Sequence, residues 1–265
     1  LHTNRIYRPP RSPLADTAQF LILIAVLSWL LFQSAGNLNY NWQWYRVSDF
    51  LLSRTEEGFR MGPLLLGLGV TIKISAVSLV CTLVIGLMTA LFRLSNSPVA
   101  SLLARIYLEI IRNTPLLIQI YLIYYVLGPV LGLERFPAAV LALSLFQGAY
   151  ASEIIRSGIL SVDRGQTEAA RSLGLNKGLA YRLVILPQAL RTILPPLTSQ
   201  AISLIKDSAL VSTIAIYDLV MNANALVAET FLTFEIWFLV ALLYLMITIS
   251  LSLFVAYLEK RVRYR

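Results

Sequence analysis

Two pairs of opposite charge interrupt apolar stretches of this chain: Glu153 with Arg156, and Lys206 with Asp207. Ionisable side chains at membrane depth are expensive unless they are paired, hydrated or close to the interface. Each pair therefore reads either as a structural tie or as part of a site. Glu153 and Arg156 stand three apart on one helical face and can satisfy each other. In the functional reading, the Glu153 carboxylate lies beside a path, where it could meet a substrate ammonium or an internal gate. Lys206 and Asp207 are adjacent and cannot face one another around a helix, so their partners lie on other helices or in water. Interhelical packing and a place in a pathway or gate both remain open for them. Gln119, Gln147, Ser144, Tyr124, Tyr150, Gln200 and Ser203 add polar chemistry without a severe charge cost, with packing hydrogen bonds as their ordinary use. Mixed-sign charge suits a zwitterion better than a bulky apolar solute.

Enzymatic chemistry is poorly supplied. His2 is the only imidazole and Cys81 the only thiol, which excludes a histidine-based triad with an in-span partner and any standard zinc cluster. Cys81 reads as buried filler, and alone it can form no internal disulfide. The chain has no Gly-x-x-x-x-Gly-Lys-Ser/Thr phosphate loop. The net charge of +8 does not form a nucleic-acid-facing stripe, because Lys and Arg fall mostly between apolar runs.

The elements that must position these groups are membrane spans. Of 265 residues, 57% are hydrophobic and only 14% charged, against roughly 25% charged in a soluble domain. Crossing a hydrocarbon core of about 30 Å takes about 20 helical residues. Six spans are predicted near 17–34, 64–92, 113–133, 137–159, 196–216 and 233–257, the first short and the fifth interrupted by Lys206 and Asp207. The first apolar run resembles both a signal peptide and an anchor, and reads as a retained helix. With the N-terminus inside, fifteen Lys and Arg fall in inner segments and four (Arg46, Arg54, Arg60, Arg135) in outer ones. That positive-inside bias puts both termini and the 161–195 loop in the cytoplasm.

Between the spans, residues 35–62 interleave aromatic and polar side chains suited to the headgroup layer, or to contact with an outside partner. Residues 94–112 predict a short helix along the inner surface, with Glu109 an interfacial charge, before a span enters at Thr114-Pro115. Lys73 is expected to snorkel or to meet a carboxylate across the bundle. Residues 217–232 read as a mildly acidic outside loop carrying Asp218 and Glu229.

The 161–195 loop is too long for a mere connector. Thr167 is a candidate N-cap, Ala169 and Ala170 favour helix, and Gly174 interrupts it. Leu179, Leu183 and Leu186 then recur at helical spacing, and Pro187 marks a bend or a new start. The loop is predicted as a helical hairpin whose small residues, flanked by charge, suit docking into a groove of another protein.

These residues carry a resemblance. Glu168-Ala169-Ala170, Gly174, Val184 and Leu186-Pro187 match the cytoplasmic signature of ABC importer integral-membrane permease subunits, with Val184 in place of the usual Ile. The segments 111–119, 150–159, 165–168 and 206–212 are similar to the polar amino acid branch, the histidine, glutamine, arginine and glutamate permeases. The resemblance covers roughly 60–260 and implies an all-α polytopic membrane bundle of the type I ABC importer fold, a five-span core behind an extra N-terminal helix. Expected parts are 1–60 (tail, first helix and external loop), a transmembrane domain over 61–260 containing the 161–195 coupling loop, and a basic tail over 261–265.

It further implies a non-catalytic permease subunit of the bacterial inner membrane, importing a polar or charged amino acid by alternating access. Expected partners are two ATPase subunits, an identical or homologous second permease and an extracytoplasmic amino-acid-binding protein. ATP and Mg are bound by the ATPases, with no cofactor on this chain. Glu168, Ala169, Ala170, Gly174, Leu186 and Pro187 are expected to couple to the ATPase. Glu153 first, then Gln147, Gln119 and Lys206, are expected along the substrate pathway. The competing reading is an ion-coupled carrier or gated channel without an ATPase, which leaves the 168–187 segment unexplained.

Overall fold

The computed structural model describes residues 13–37, 40–55 and 58–263; residues 1–12 of the expected 1–60 part and residues 264–265 of the expected 261–265 tail lie outside the described residues. Two units are distinct in the chain, 1–43 and 44–265. The first contains helix α1 (Pro13–Asn37).

The second unit opens with a 3-10 turn (Trp44–Arg46), a short helix α2 (Val47–Leu51) and an antiparallel hairpin, β1 (Leu52–Thr55) with β2 (Gly58–Met61), in the register Ser53 to Arg60. The hairpin was not expected from the sequence, where 35–62 reads as one interfacial stretch. The backbone then enters α3 (Pro63–Leu94), begun by Pro63 at the first turn, where its missing N–H costs nothing. At about 1.5 Å per residue this helix is longer than the hydrocarbon core is thick.

Ser97 caps α4 (Pro98–Arg112) by accepting the Ala100 N–H at 3.3 Å. The chain then turns by 107° at Asn113–Pro115 into α5 (Leu116–Tyr121), which continues through a π turn (Leu122–Leu127) into α6 (Gly128–Leu131). Pro115 lacks the N–H that would continue α4, and the Gln119 amide takes up the carbonyls left at the corner. Its Nε2 donates to Ile111 O at 2.8 Å and Thr114 O at 3.1 Å.

Helix α7 (Arg135–Leu160) returns along α3, the closest helix pair of the fold, where Ser144 Oγ donates to Val140 O and to Ser78 O. After α8 (Arg164–Ser172), α9 (Lys177–Ala180) and a π turn (Tyr181–Ile185), α10 runs from Leu186 to Asp207 and a 3-10 turn carries it to Ile214. The fifth span thus starts ten residues earlier than hydropathy indicated, because polar residues such as Gln188 and Arg191 occupy its first turns. Pro195 and Pro196 sit inside α10.

The predicted acidic loop at 217–232 is instead helix α11 (Leu219–Thr230), and Asp218 is not a surface charge but its fully buried N-cap. Asp218 Oδ1 accepts the Met221 N–H at 2.8 Å, and Thr71 Oγ1 of α3 accepts the Leu219 N–H at 3.1 Å. Gly67 permits this approach, since a Cβ there would lie 2.6 Å from the Asp218 carbonyl oxygen. The last helix is α12 (Thr233–Arg263).

Three helices, α3, α7 and the Thr233–Tyr257 part of α12, are long and apolar enough to cross a membrane, and two bent pairs raise the number to five among the described residues. This is the expected core behind an N-terminal helix. One apolar core joins α3, α5, α7 and α10 through Ile74, Ile120, Leu143 and Leu204; another joins α2, α11 and α12 through Phe50, Leu219 and Ile236. Cys81, expected to be buried, is half-buried on α3.

Candidate functional site

The α8–α9 hairpin is built by local hydrogen bonds. Its N-cap is Asp163, which accepts the Gly165 N–H at 2.6 Å, and not Thr167, which lies inside the helix. Both types can cap, and α8 begins at Arg164, before Thr167. The helix closes at Gly174, with φ +80°: Gly174 N–H donates to Arg171 O at 2.9 Å and Leu175 N–H to Ala170 O at 3.1 Å. This pair of bonds is the Schellman arrangement, which needs a left-handed residue at Gly174. Asn176 starts the next turn by accepting the Leu179 N–H at 2.9 Å.

Ala170 and Ala180 are the buried residues of the two short helices, and α8 rests on the π turn that leads into α10. Glu168, Ala169 and Gly174 are left exposed, and so is Leu173 at 82%. Gln188 on α10 links the pieces, its Nε2 donating to Val184 O at 2.9 Å and to Gln166 Oε1 of α8 at 3.3 Å. Leu186 and Pro187 form the first turn of α10 itself. A surface of small residues and charge is thus fixed to the base of a spanning helix.

The four expected pathway residues occupy different surroundings. Gln147, fully buried on α7, donates to Asp207 Oδ2 at 2.5 Å and accepts from Gln200 Nε2, joining α7 to α10 in one polar cluster. Lys206 is exposed beside it and shares no hydrogen bond with the cluster. Gln119 holds the α4–α5 corner. Glu153 lies further along α7, toward its C-terminal end, in a cluster of guanidinium groups. It pairs with Arg93 at the end of α3 and with Arg156 Nη2 at 3.0 Å, and Arg112 Nη1 stands 4.0 Å away. The Glu153–Arg156 tie is the one the spacing anticipates, whereas Arg93 was missed because it reads as an ordinary charge flanking a span. Lys73 pairs with no carboxylate among the described residues; its ammonium lies 5.4 Å from the centre of the Phe136 ring.

The arrangement is a bundle of apolar helices with an exposed helical hairpin at the root of one of them. Residues 82–264 match the family described as binding-protein-dependent transport system inner membrane component, and the chain belongs to that family. It is 42% identical over 199 residues to the probable glutamine ABC transporter permease protein GlnP of Bacillus subtilis, covering 74% of this chain and 91% of that one. To the glutamine transport system permease protein GlnP of Escherichia coli K12 it is 39% identical over 205 residues, 76% of this chain and 94% of the relative.

Among solved structures, an amino acid ABC transporter crystallised with histidines superposes with a TM-score of 0.71 at 39% identity, over 75% of this chain and 94% of that chain. The inward-facing methionine transporter MetNI shares the fold, with a TM-score of 0.65 at 20% identity over 76% and 96% of the two chains. The chain thus has the fold of the type I ABC importer permeases.

Proposed function

We propose that this subunit imports a polar amino acid, with glutamine the first candidate, by ATP-driven alternating access in the bacterial inner membrane. The observation that carries the reading is the exposed α8 surface, locked by Gly174 and Gln188 to the helix whose far end holds Asp207. A displacement of that surface reaches the polar cluster through one continuous element. Two ATPase subunits, which bind the ATP and Mg, dock on the 161–195 loop through Glu168, Ala169, Ala170, Gly174, Leu186 and Pro187. A second permease, identical or homologous, completes the pathway, and an extracytoplasmic binding protein delivers the substrate. Both termini and the loop face the cytoplasm, in keeping with the fifteen-to-four distribution of Lys and Arg.

The substrate passes the polar groups of α7 and α10, with Gln147 and Lys206 at one level and Glu153 nearer the loop; Gln119 shapes the corner beside them. Glutamine rests on the names of the similar permeases and on the amide-rich cluster of Gln147 and Gln200. The test is reconstitution with the ATPase and binding protein encoded alongside this chain, followed by uptake of labelled amino acids. Glutamine uptake that requires ATP and collapses with Glu168→Lys is expected; uptake sustained by an ion gradient without ATP would refute the reading.

A further inference from the structure

Helix α4 carries two features that the transport reading does not use. Its apolar stripe, Val99, Leu102, Leu103, Ile106 and Ile110, is 47–66% exposed, while Ala104 and Leu108 face the bundle at 4% each. Beside the stripe, Arg105, Glu109 and Arg112 follow one another at helical spacing.

They open onto a polar notch of about 380 Å³, lined also by Arg93, Leu108 and Glu153; Glu109 and Arg112 also line a neighbouring one of about 250 Å³ that reaches Asn113 and Tyr150. The carboxylates there are engaged: Glu153 by Arg93 and Arg156, and Glu109 by the Asn113 amide at 3.0 Å. Arg112 approaches Glu153 only at 4.0 Å and stands 5.8 Å from the centre of the Tyr150 ring. Arg105 forms no ion pair with a described residue. The notch thus sets three guanidinium groups against two carboxylates, one of which also serves Arg156; Arg105 has no ion pair and Arg112 only the 4.0 Å one, and both stand next to side chains that need hydrocarbon.

We propose that this notch holds the headgroup of an anionic phospholipid, its phosphate between Arg105 and Arg112 and its acyl chains along the α4 stripe. A basic recess at the membrane surface attracts anionic headgroups, and an amphipathic helix lies with its apolar face among the acyl chains. A free anion or a zwitterionic amino acid would satisfy the arginines but would not account for the adjoining stripe. The site lies at the end of the bundle that carries α8 and shares Glu153 with the proposed substrate path, so competition by glutamine separates a lipid occupant from the solute.

Native mass spectrometry of the full chain in detergent, titrated with phosphatidylglycerol, cardiolipin and phosphatidylcholine, tests the assignment. Wild type should retain the anionic lipids over phosphatidylcholine, and Arg105→Gln with Arg112→Gln should weaken that retention about fivefold per arginine. The Arg→Lys pair should keep most of it, and inorganic phosphate should not displace the lipid. A photo-crosslinkable phosphatidylglycerol should label the α4 peptide, a readout that needs no variant. Equal retention of neutral and anionic lipid, unchanged retention in the folded glutamine variant, displacement by phosphate or by glutamine, or labelling confined to other helices would each overturn the proposal.

Discussion

Arg93, in the last turn of α3, and Glu153, inside α7, form an ion pair that ties the two longest-packed helices of the bundle at the end bearing the α8–α9 hairpin. Their side chains are 21% and 26% exposed, between the regime of surface pairs, which contribute little, and that of buried pairs, whose rupture is costly. Arg93→Gln and Glu153→Gln should therefore be non-additive. A double-mutant cycle on thermal unfolding of the detergent-purified subunit is expected to give a coupling of about 1–2 kcal/mol. Strict additivity would show that the pair contributes nothing.

Gly174→Val places a β-branched residue at φ +80°, a conformation that costs L-residues about 1–2 kcal/mol. No atom lies within 4 Å of the added Cβ, so the strain is purely conformational. The variant should insert normally and lose most substrate-stimulated ATP hydrolysis in the assembled transporter, while Gly174→Asn, which tolerates left-handed φ, should retain more. Equal loss in both would point to a contact with the ATPase and not to backbone shape.

Gln147→Leu removes the only side-chain hydrogen-bond donor to Asp207 among the described residues and the acceptor of Gln200. Unpaired buried polar groups cost about 1–3 kcal/mol each. Reduced thermal stability should accompany reduced uptake, and Gln147→Leu with Asp207→Leu should recover stability but not transport. Recovery of both would remove Gln147 from the pathway.

Gly67→Val drives side-chain atoms into the Asp218 carbonyl and should undock α11 from α3. Overpacking of this kind costs about 1–3 kcal/mol. Hydrogen exchange is expected to rise over 219–230 while 135–160 stays protected. Unchanged protection of α11 would show that the close approach is not what holds it.

The spans were legible because hydropathy reports burial in lipid directly, and the hairpin around Gly174 was legible because a glycine between two helix-forming segments has few other uses. What the sequence hides is pairing over distance. Asp218 looks like a loop charge until Gly67, far away on α3, is seen to admit the backbone that buries it. Arg93 looks like one more flanking cation until α3 and α7 set it against Glu153. Leu186 and Pro187 read as part of the 161–195 loop, with Pro187 a bend or a new start, because the polar first turns of α10 conceal that the spanning helix has already begun.

The tandem prolines of α10 give that helix a mechanical property. Pro195 and Pro196 offer no N–H to the carbonyls of Arg191 and Thr192, so two consecutive rungs of the ladder are missing midway between Leu186 and Asp207. The helix is then two stiff rods with a compliant joint. At about 1.5 Å per residue, a tilt of about 10° at the joint sweeps the Asp207 end sideways by about 3 Å. That is about the length of one hydrogen bond, enough to part Gln147 from Asp207 while each rod stays intact.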